Sequence, residues 1–213
     1  MLLTFDHVTG TGKGFLLNDI TFELPAGFIL GIAGKNGAGK TTLIHYIMDE
    51  KKHYSGTIML NGKNIHADHT KTLKQIGFVS EENEFFMDCT GKQNAELLGM
   101  FYDTFDMTLF TETMKKLELP KNRALSRMSR GEYIKFQLAF AISHKPCLYL
   151  LDEATAGMDP VFRIDFFKIL QSLLVDENAS VVMTTHISTE LEQKTDFVGV
   201  MDTGKLLSYG ESL

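Results

Sequence analysis

Residues 28–44, Phe-Ile-Leu-Gly-Ile-Ala-Gly-Lys-Asn-Gly-Ala-Gly-Lys-Thr-Thr-Leu-Ile, constrain this chain more than any other stretch. They read as an apolar strand, a glycine-rich loop and the first turn of a helix. Residues 34–41 match G-x-x-x-x-G-K-[ST] at every fixed position, the pattern of a phosphate-binding loop. The glycines let backbone N–H groups come close to a polyphosphate, and the helix opening near Lys40 adds unpaired N–H donors and its dipole. Gly34, Lys35, Asn36, Gly37, Ala38, Gly39, Lys40, Thr41 and Thr42 are therefore the candidate nucleotide-binding residues. Lys40 is expected to reach the β- and γ-phosphates and the Thr41 hydroxyl to hold Mg²⁺. The ligand expected of this loop is ATP or GTP.

A second piece of chemistry follows in Leu148-Tyr-Leu-Leu-Asp152-Glu153. An apolar strand buried beside the loop strand can hold a carboxylate at its end, next to the metal, and Asp152 is that candidate. Glu153, one residue later, points elsewhere and suits a general base that polarises the attacking water. The plainer alternative is an acidic pair opening a solvated loop. His186 ends a further apolar strand, where α/β folds collect ligands, and becomes a candidate γ-phosphate contact rather than a satisfied surface histidine. Asp159, ahead of Pro160, reads either as a functional residue or as a helix N-cap, and the two are compatible.

Around these motifs, strands alternate with helices. Residues 2–8 and 20–24 carry short alternating patterns, 56–62 a strand closed by Asn-Gly, and 76–80 a short apolar strand ending in an acidic cluster. From about 90 to 119, apolar residues recur at helical spacing as two runs (Leu97 to Phe105, then Phe110 to Leu117), and a third helix spans about 130–143. Strands at 147–151, 181–184, 197–201 and 205–208, with a helix over 162–174, complete the chain. The expected fold is α/β: a phosphate-loop NTPase core with a mainly parallel sheet, a small antiparallel β subdomain and an all-helical insert. The 213 residues are expected to form one domain, with residues 1–89 and 146–213 as nucleotide-binding core and about 90–145 as helical subdomain.

The net charge of −6 carries no basic footprint, so nucleic acid is not an expected partner. Cys89 and Cys147 fit neither a zinc pattern nor a disulfide framework, which suits a reducing cytosol. The N-terminus has no signal-peptide pattern, and no apolar run approaches the ~20 residues of a membrane helix. Work at a membrane would therefore go through a partner. Residues 82–88 offer a docking surface, because Phe85, Phe86 and Met87 form an apolar triplet in an acidic frame. The alternative is that the three tuck under the helical insert as core.

In order along the chain stand the phosphate loop, the helical insert, Ser129-Arg-Gly-Glu132 opening a helix, Leu-Leu-Asp152-Glu153, Ala156-Gly-Met-Asp159 and Thr185-His186. This ordered set resembles the nucleotide-binding (ATPase) subunit of ATP-binding cassette (ABC) transporters of the bacterial export type, over essentially the whole chain. The resemblance implies an ATPase that uses ATP and Mg²⁺ to power export of a peptide, antibiotic or similar amphiphile. It implies a homo- or heterodimer of cassettes, a membrane permease as partner, and a cytoplasmic place on the inner face of the cell membrane. Ser129, Arg130, Gly131 and Glu132 stand where the family's signature acts across the dimer, usually written Ser-Gly-Gly-Gln. Glu81 stands at the metal-sensing glutamine position, which some export-type cassettes fill with Glu, and Asp159 stands in the dimer loop. The aromatic that stacks on adenine has no clear counterpart: Thr11 falls near its place, with Phe15 as a substitute. Two alternatives are a soluble cassette ATPase not tied to transport and a cassette that binds ATP and dimerises with little hydrolysis.

Overall fold

The computed structural model describes residues 1–11, 13–49, 53–80, 82, 85–155, 158–177, 179–186 and 194–212. Among the described residues, ten strands and six helices follow one another in the order β1 (Leu3–Gly10), β2 (Ile20–Leu24), β3 (Ile29–Ala33), α1 (Lys40–Met48), β4 (Tyr54–Leu60), β5 (Lys63–Asn64), α2 (His69–Leu73), β6 (Ile76–Val79), α3 (Gly91–Leu98), α4 (Met107–Lys116), α5 (Arg130–Ser143), β7 (Leu148–Asp152), α6 (Pro160–Glu177), β8 (Ser180–Thr185), β9 (Phe197–Asp202) and β10 (Lys205–Glu211).

The strands build two sheets. The larger has the order β10-β9-β3-β8-β7-β6 and is parallel except for β10, which runs antiparallel to β9. Every residue of β3 and β8 is buried, as expected of central strands covered on both faces, and this is why they are spelled as near-continuous apolar runs. The smaller sheet, β2-β1-β4-β5, is antiparallel, and its strand β2 alternates buried and exposed residues. Rings tie the two sheets together. Phe5 stacks on Phe22, Phe22 meets Tyr209, and Tyr209 lies flat against Phe197 with centroids 5.7 Å apart.

One apolar core fills the space between the sheets and under α1. A second lies on the other face of the large sheet beneath α5 and α6, and a third sits inside the helical segment around Phe110, Phe136 and Phe140. Buried side-chain amides join that segment to the large sheet. Gln137 of α5 accepts from the Ser80 amide at 3.0 Å and donates to the Ser80 carbonyl at 2.7 Å. Asn94 of α3 does the same to Phe86, at 2.9 and 3.0 Å. Both amides are buried, so each bond is made without competition from water.

Two expectations are corrected, and one element, α2, was not expected. The run from Leu97 to Phe105 is not one helix: α3 stops at Leu98, a 3-10 turn covers Gly99–Phe101, and the Phe105 ring folds back over Gly99, where a Cβ would come 2.7 Å from it. The carboxylate strand is not beside the loop strand, because β8 lies between β7 and β3. And α2, polar and five residues long, has no apolar periodicity by which to be recognised. Among the described residues no helix is long and apolar enough to cross a membrane.

Candidate functional site

Three neighbouring parallel strands end at one edge. β3 runs into the loop of residues 34–39, β8 ends at Thr185 just before His186, and β7 ends at Asp152. The loop needs two of its glycines for different reasons. A Cβ on Gly34 would stand 2.6 Å from the Met201 carbonyl oxygen, and Gly39 caps α1 with φ +106°. The first turn of α1 carries no acidic side chain, so its N-terminal dipole is left available to an anion.

Lys40, only 4% exposed, turns its ammonium back over the loop. It donates to the carbonyls of Gly34 at 2.9 Å and Lys35 at 3.3 Å, and it pairs with Glu153 at 3.1 Å. The second oxygen of Glu153 lies 3.2 Å from Nδ1 of His186. Lys40, Glu153 and His186, read from three separate motifs, are thus brought together. Burial pushes the Glu153 carboxyl up, but hydrogen bonds and charge from Lys40, followed by those from His186, outweigh it and hold the group below the usual carboxylate range. Glu153 has a left-handed backbone, φ +49°, which turns its side chain away from the line of β7.

Asp152, half-buried, accepts a hydrogen bond from the Thr184 hydroxyl at 2.6 Å. Among the described residues no group of three or more His, Cys, Asp or Glu could hold a metal ion. What this edge offers instead is hard oxygen, the Asp152 carboxylate and the exposed Thr41 at the start of α1. That donor set suits Mg²⁺, which takes one or two protein oxygens and completes its shell with phosphate and water. Glu81, the other candidate for the metal, lies outside the described residues. Of the two candidates for a base contact, Thr11 donates its amide to the His53 carbonyl, whereas the half-exposed Phe15 ring lies against Gly39.

The Ser129 segment lies elsewhere on the chain. Ser129 caps α5 in a reciprocal box: the Glu132 amide donates to its hydroxyl at 3.2 Å, and its own amide donates to the Glu132 carboxylate at 2.8 Å. The Ser129 amide bond and the Arg123 guanidinium hold the Glu132 carboxyl low. A groove of about 340 Å³ beside it is lined by Ser129, Arg130, Gly131, Glu132, Lys135 and, from the other side, Met158, Asp159 and Phe162. The Lys135 ammonium sits 4.1 Å over the Phe162 ring. A Cβ on Gly131 would meet nothing of its own chain within 4 Å. Asp159 also caps α6, accepting from the Phe162 amide at 3.3 Å.

The apolar triplet divides. Phe85 packs edge-on against Phe136 and Phe140, Met87 joins the same helical core, and Phe86 is 53% exposed. A larger groove, about 660 Å³, opens between α2 and the helical segment, with Phe85, Met100, Phe101, Tyr102 and His144 among its walls. Of the three, only Phe85 lines it, so the triplet is not the single groove floor expected. The residues that the sequence did not single out are Thr184, Asn94 and Gln137. Thr184 carries one signal, a polar residue closing an apolar run in a strand, whereas Asn94 and Gln137 lie on helices where a polar residue carries none.

A model of the ABC transporter family matches residues 17–156. The ABC transporter ATP-binding protein YtrB of Bacillus subtilis (strain 168) is 30% identical over 191 residues, 90% of this chain and 65% of the relative. The bacitracin transport ATP-binding protein BcrA of Bacillus licheniformis is 29% identical over 209 residues, 97% of this chain and 68% of that protein. The chain thus spans about two thirds of the length of these curated relatives. The solved dimer of the ATP-binding cassette MJ0796 in a post-hydrolysis state, bound to ADP and Pi, superposes with a TM-score of 0.87 at 21% identity, covering 100% of this chain and 99% of that one. The family match begins ahead of β2, runs through the phosphate loop and the helical segment and passes Asp152 and Glu153, so the chain belongs to the ABC transporter family.

Proposed function

We propose that this chain is the ATP-binding and ATP-hydrolysing subunit of a membrane ABC transporter that exports a peptide, antibiotic or similar amphiphile. The observation that carries the reading is the meeting of Lys40, Glu153 and His186, 3.1 and 3.2 Å apart, at the carboxyl edge of a parallel sheet. Hydrolysis is in-line: a bond forms from water oxygen to the γ-phosphorus, the bond to the bridging oxygen of ADP breaks, and a water proton passes to Glu153. Lys40 and the loop amides hold phosphate charge, and His186 holds a γ-phosphate oxygen. Thr41 and Asp152, together with Glu81, would hold Mg²⁺, which would supply positive charge to offset that of the phosphates. While paired with Lys40, Glu153 is a weak base. A phosphate that draws the ammonium away removes that partner and raises the basicity of the carboxylate.

The groove of Ser129, Gly131 and Asp159 shares no lining residue with the phosphate loop, which supports reading the two as separate half-sites on one chain. We read this as a site completed by a second cassette, with Gly131 admitting the partner's nucleotide closely and ATP-driven dimerisation as the switch. The domain is read as one unit over residues 1–213, with 90–145 as helical subdomain. Phe86, which is exposed, and the neighbouring 660 Å³ groove are read as the surface for a permease helix, and on that reading the chain would work at the inner face of the membrane. The resemblance to a bacitracin transport protein supports an antibiotic-like cargo. The test is steady-state phosphate release by the purified chain, alone and with its membrane subunit. Turnover that the membrane subunit and cargo stimulate supports the reading, and an inability to hydrolyse ATP under either condition contradicts it.

A further inference from the structure

Thr184 of β8 is fully buried and lies opposite Asp152 in the β7–β8 register, so its hydroxyl must find its partners at that edge of the sheet. It finds two. The single hydroxyl proton goes to Oδ1 of Asp152 at 2.6 Å, and the oxygen accepts the amide N–H of Glu153 at 3.0 Å. With the proton committed to the carboxylate and a lone pair to the amide, the hydroxyl has one orientation that serves both. Both consequences concern the reaction. Fixing Oδ1 of Asp152 leaves Oδ2 as the oxygen free to face a metal. Anchoring the Glu153 amide holds the φ of +49° from which its carboxylate reaches Lys40 and His186.

We propose that Thr184 is a positioning residue of this site, its one hydroxyl setting the metal-side carboxylate and the water-side carboxylate together. This rests on the functional reading of Asp152 and Glu153 given above. A strand residue chosen only for packing would be valine, the residue at the two positions 181 and 182 of the same strand. Valine matches threonine in shape and lacks the donor.

The experiment compares the full chain with Thr184→Val and Thr184→Ser. Calorimetry with ADP, with Mg²⁺ and with chelator, reads the metal-dependent gain in affinity without turnover and so reports Asp152. Steady-state phosphate release at saturating Mg²⁺ reports Glu153. Thr184→Val is expected to lose most of the Mg²⁺-dependent gain and about 10- to 100-fold in kcat, while binding metal-free ADP as the parent does. Thr184→Ser, which keeps the hydroxyl, is expected to restore both. A valine variant equal to the parent in both measurements overturns the proposal, and so does a serine variant as impaired as the valine, since the methyl group would then be the working part. Should the valine fail to fold beside a buried carboxylate, Thr184→Cys keeps the size and weakens the donor. In the same two measurements, a cysteine variant impaired in both supports the proposal and one equal to the parent overturns it. A parent chain that neither binds nor hydrolyses ATP contradicts the function itself. A competent parent beside an equally competent valine variant contradicts only the role of Thr184.

Discussion

At the scale of single residues, Lys40 shows how the loop is held. A lysine this buried needs its charge answered, and two loop carbonyls and Glu153 answer it. On the proposed function, an entering phosphate would compete with a carboxylate for the ammonium, and the nucleotide would win by adding the loop amides and the α1 dipole. Lys40→Ala removes the charge that both compete for. It is expected to weaken ATP binding by on the order of 10-fold or more in calorimetry. Unchanged affinity would remove Lys40 from the phosphate site.

At the scale of elements, the helical segment carries a sharp contrast. Phe136 of α5 is fully buried, in ring contact with Phe85 and Phe110, and Phe136→Ala is expected to destabilise the chain by about 3–5 kcal/mol in denaturant unfolding. Phe86, held by Asn94 through its backbone with its ring in water, is expected to change stability by no more than about 0.5 kcal/mol when truncated. Its truncation is expected to appear instead in the response to the proposed membrane subunit. A loss of several kcal/mol from Phe86→Ala would mean that the ring is core. The same segment marks where sequence reading reaches its limit. The phosphate loop was legible because its chemistry is local and spelled in adjacent residues. The long helices α5 and α6 and the apolar strands β3, β7 and β8 were legible through composition and length. The break after Leu98 was not, since Phe101, Tyr102 and Phe105 keep a helical spacing while Gly99 lets the chain turn under Phe105. Nor was the placing of β8 between β3 and β7, because strand order is a non-local choice. That same choice sets Thr184 beside both carboxylates. Asn94 and Gln137 stayed hidden because a polar residue on an amphipathic helix reads as solvent-facing until its partner is known.

Across the whole molecule, the far end of the helical segment is marked by His144, which ends α5 and stacks on Tyr102 with centroids 4.1 Å apart. Burial pushes its imidazole down to about 4, against hydrogen bonding to the Lys74 carbonyl. The folded chain therefore keeps this ring neutral where the unfolded chain, titrating near 6.5, protonates it. Its contribution is complete above about pH 6.5 and is lost progressively as pH falls towards 4, by up to about 3 kcal/mol. His144→Phe should flatten that part of the stability–pH curve. A slope unchanged by the substitution would place the acid sensitivity elsewhere. At this scale the proposed function has two half-sites on one chain become a hydrolytic site when two chains close over ATP, with Glu153 as the base. The most direct measurement is made on Glu153→Gln, incubated with Mg²⁺ and ATP, with mass in solution and phosphate release followed together. An ATP-dependent dimer that persists is expected, with turnover slowed by on the order of 10²-fold or more. A variant that stays monomeric with ATP and still hydrolyses it at the parent rate would exclude both the dimeric site and Glu153 as its base.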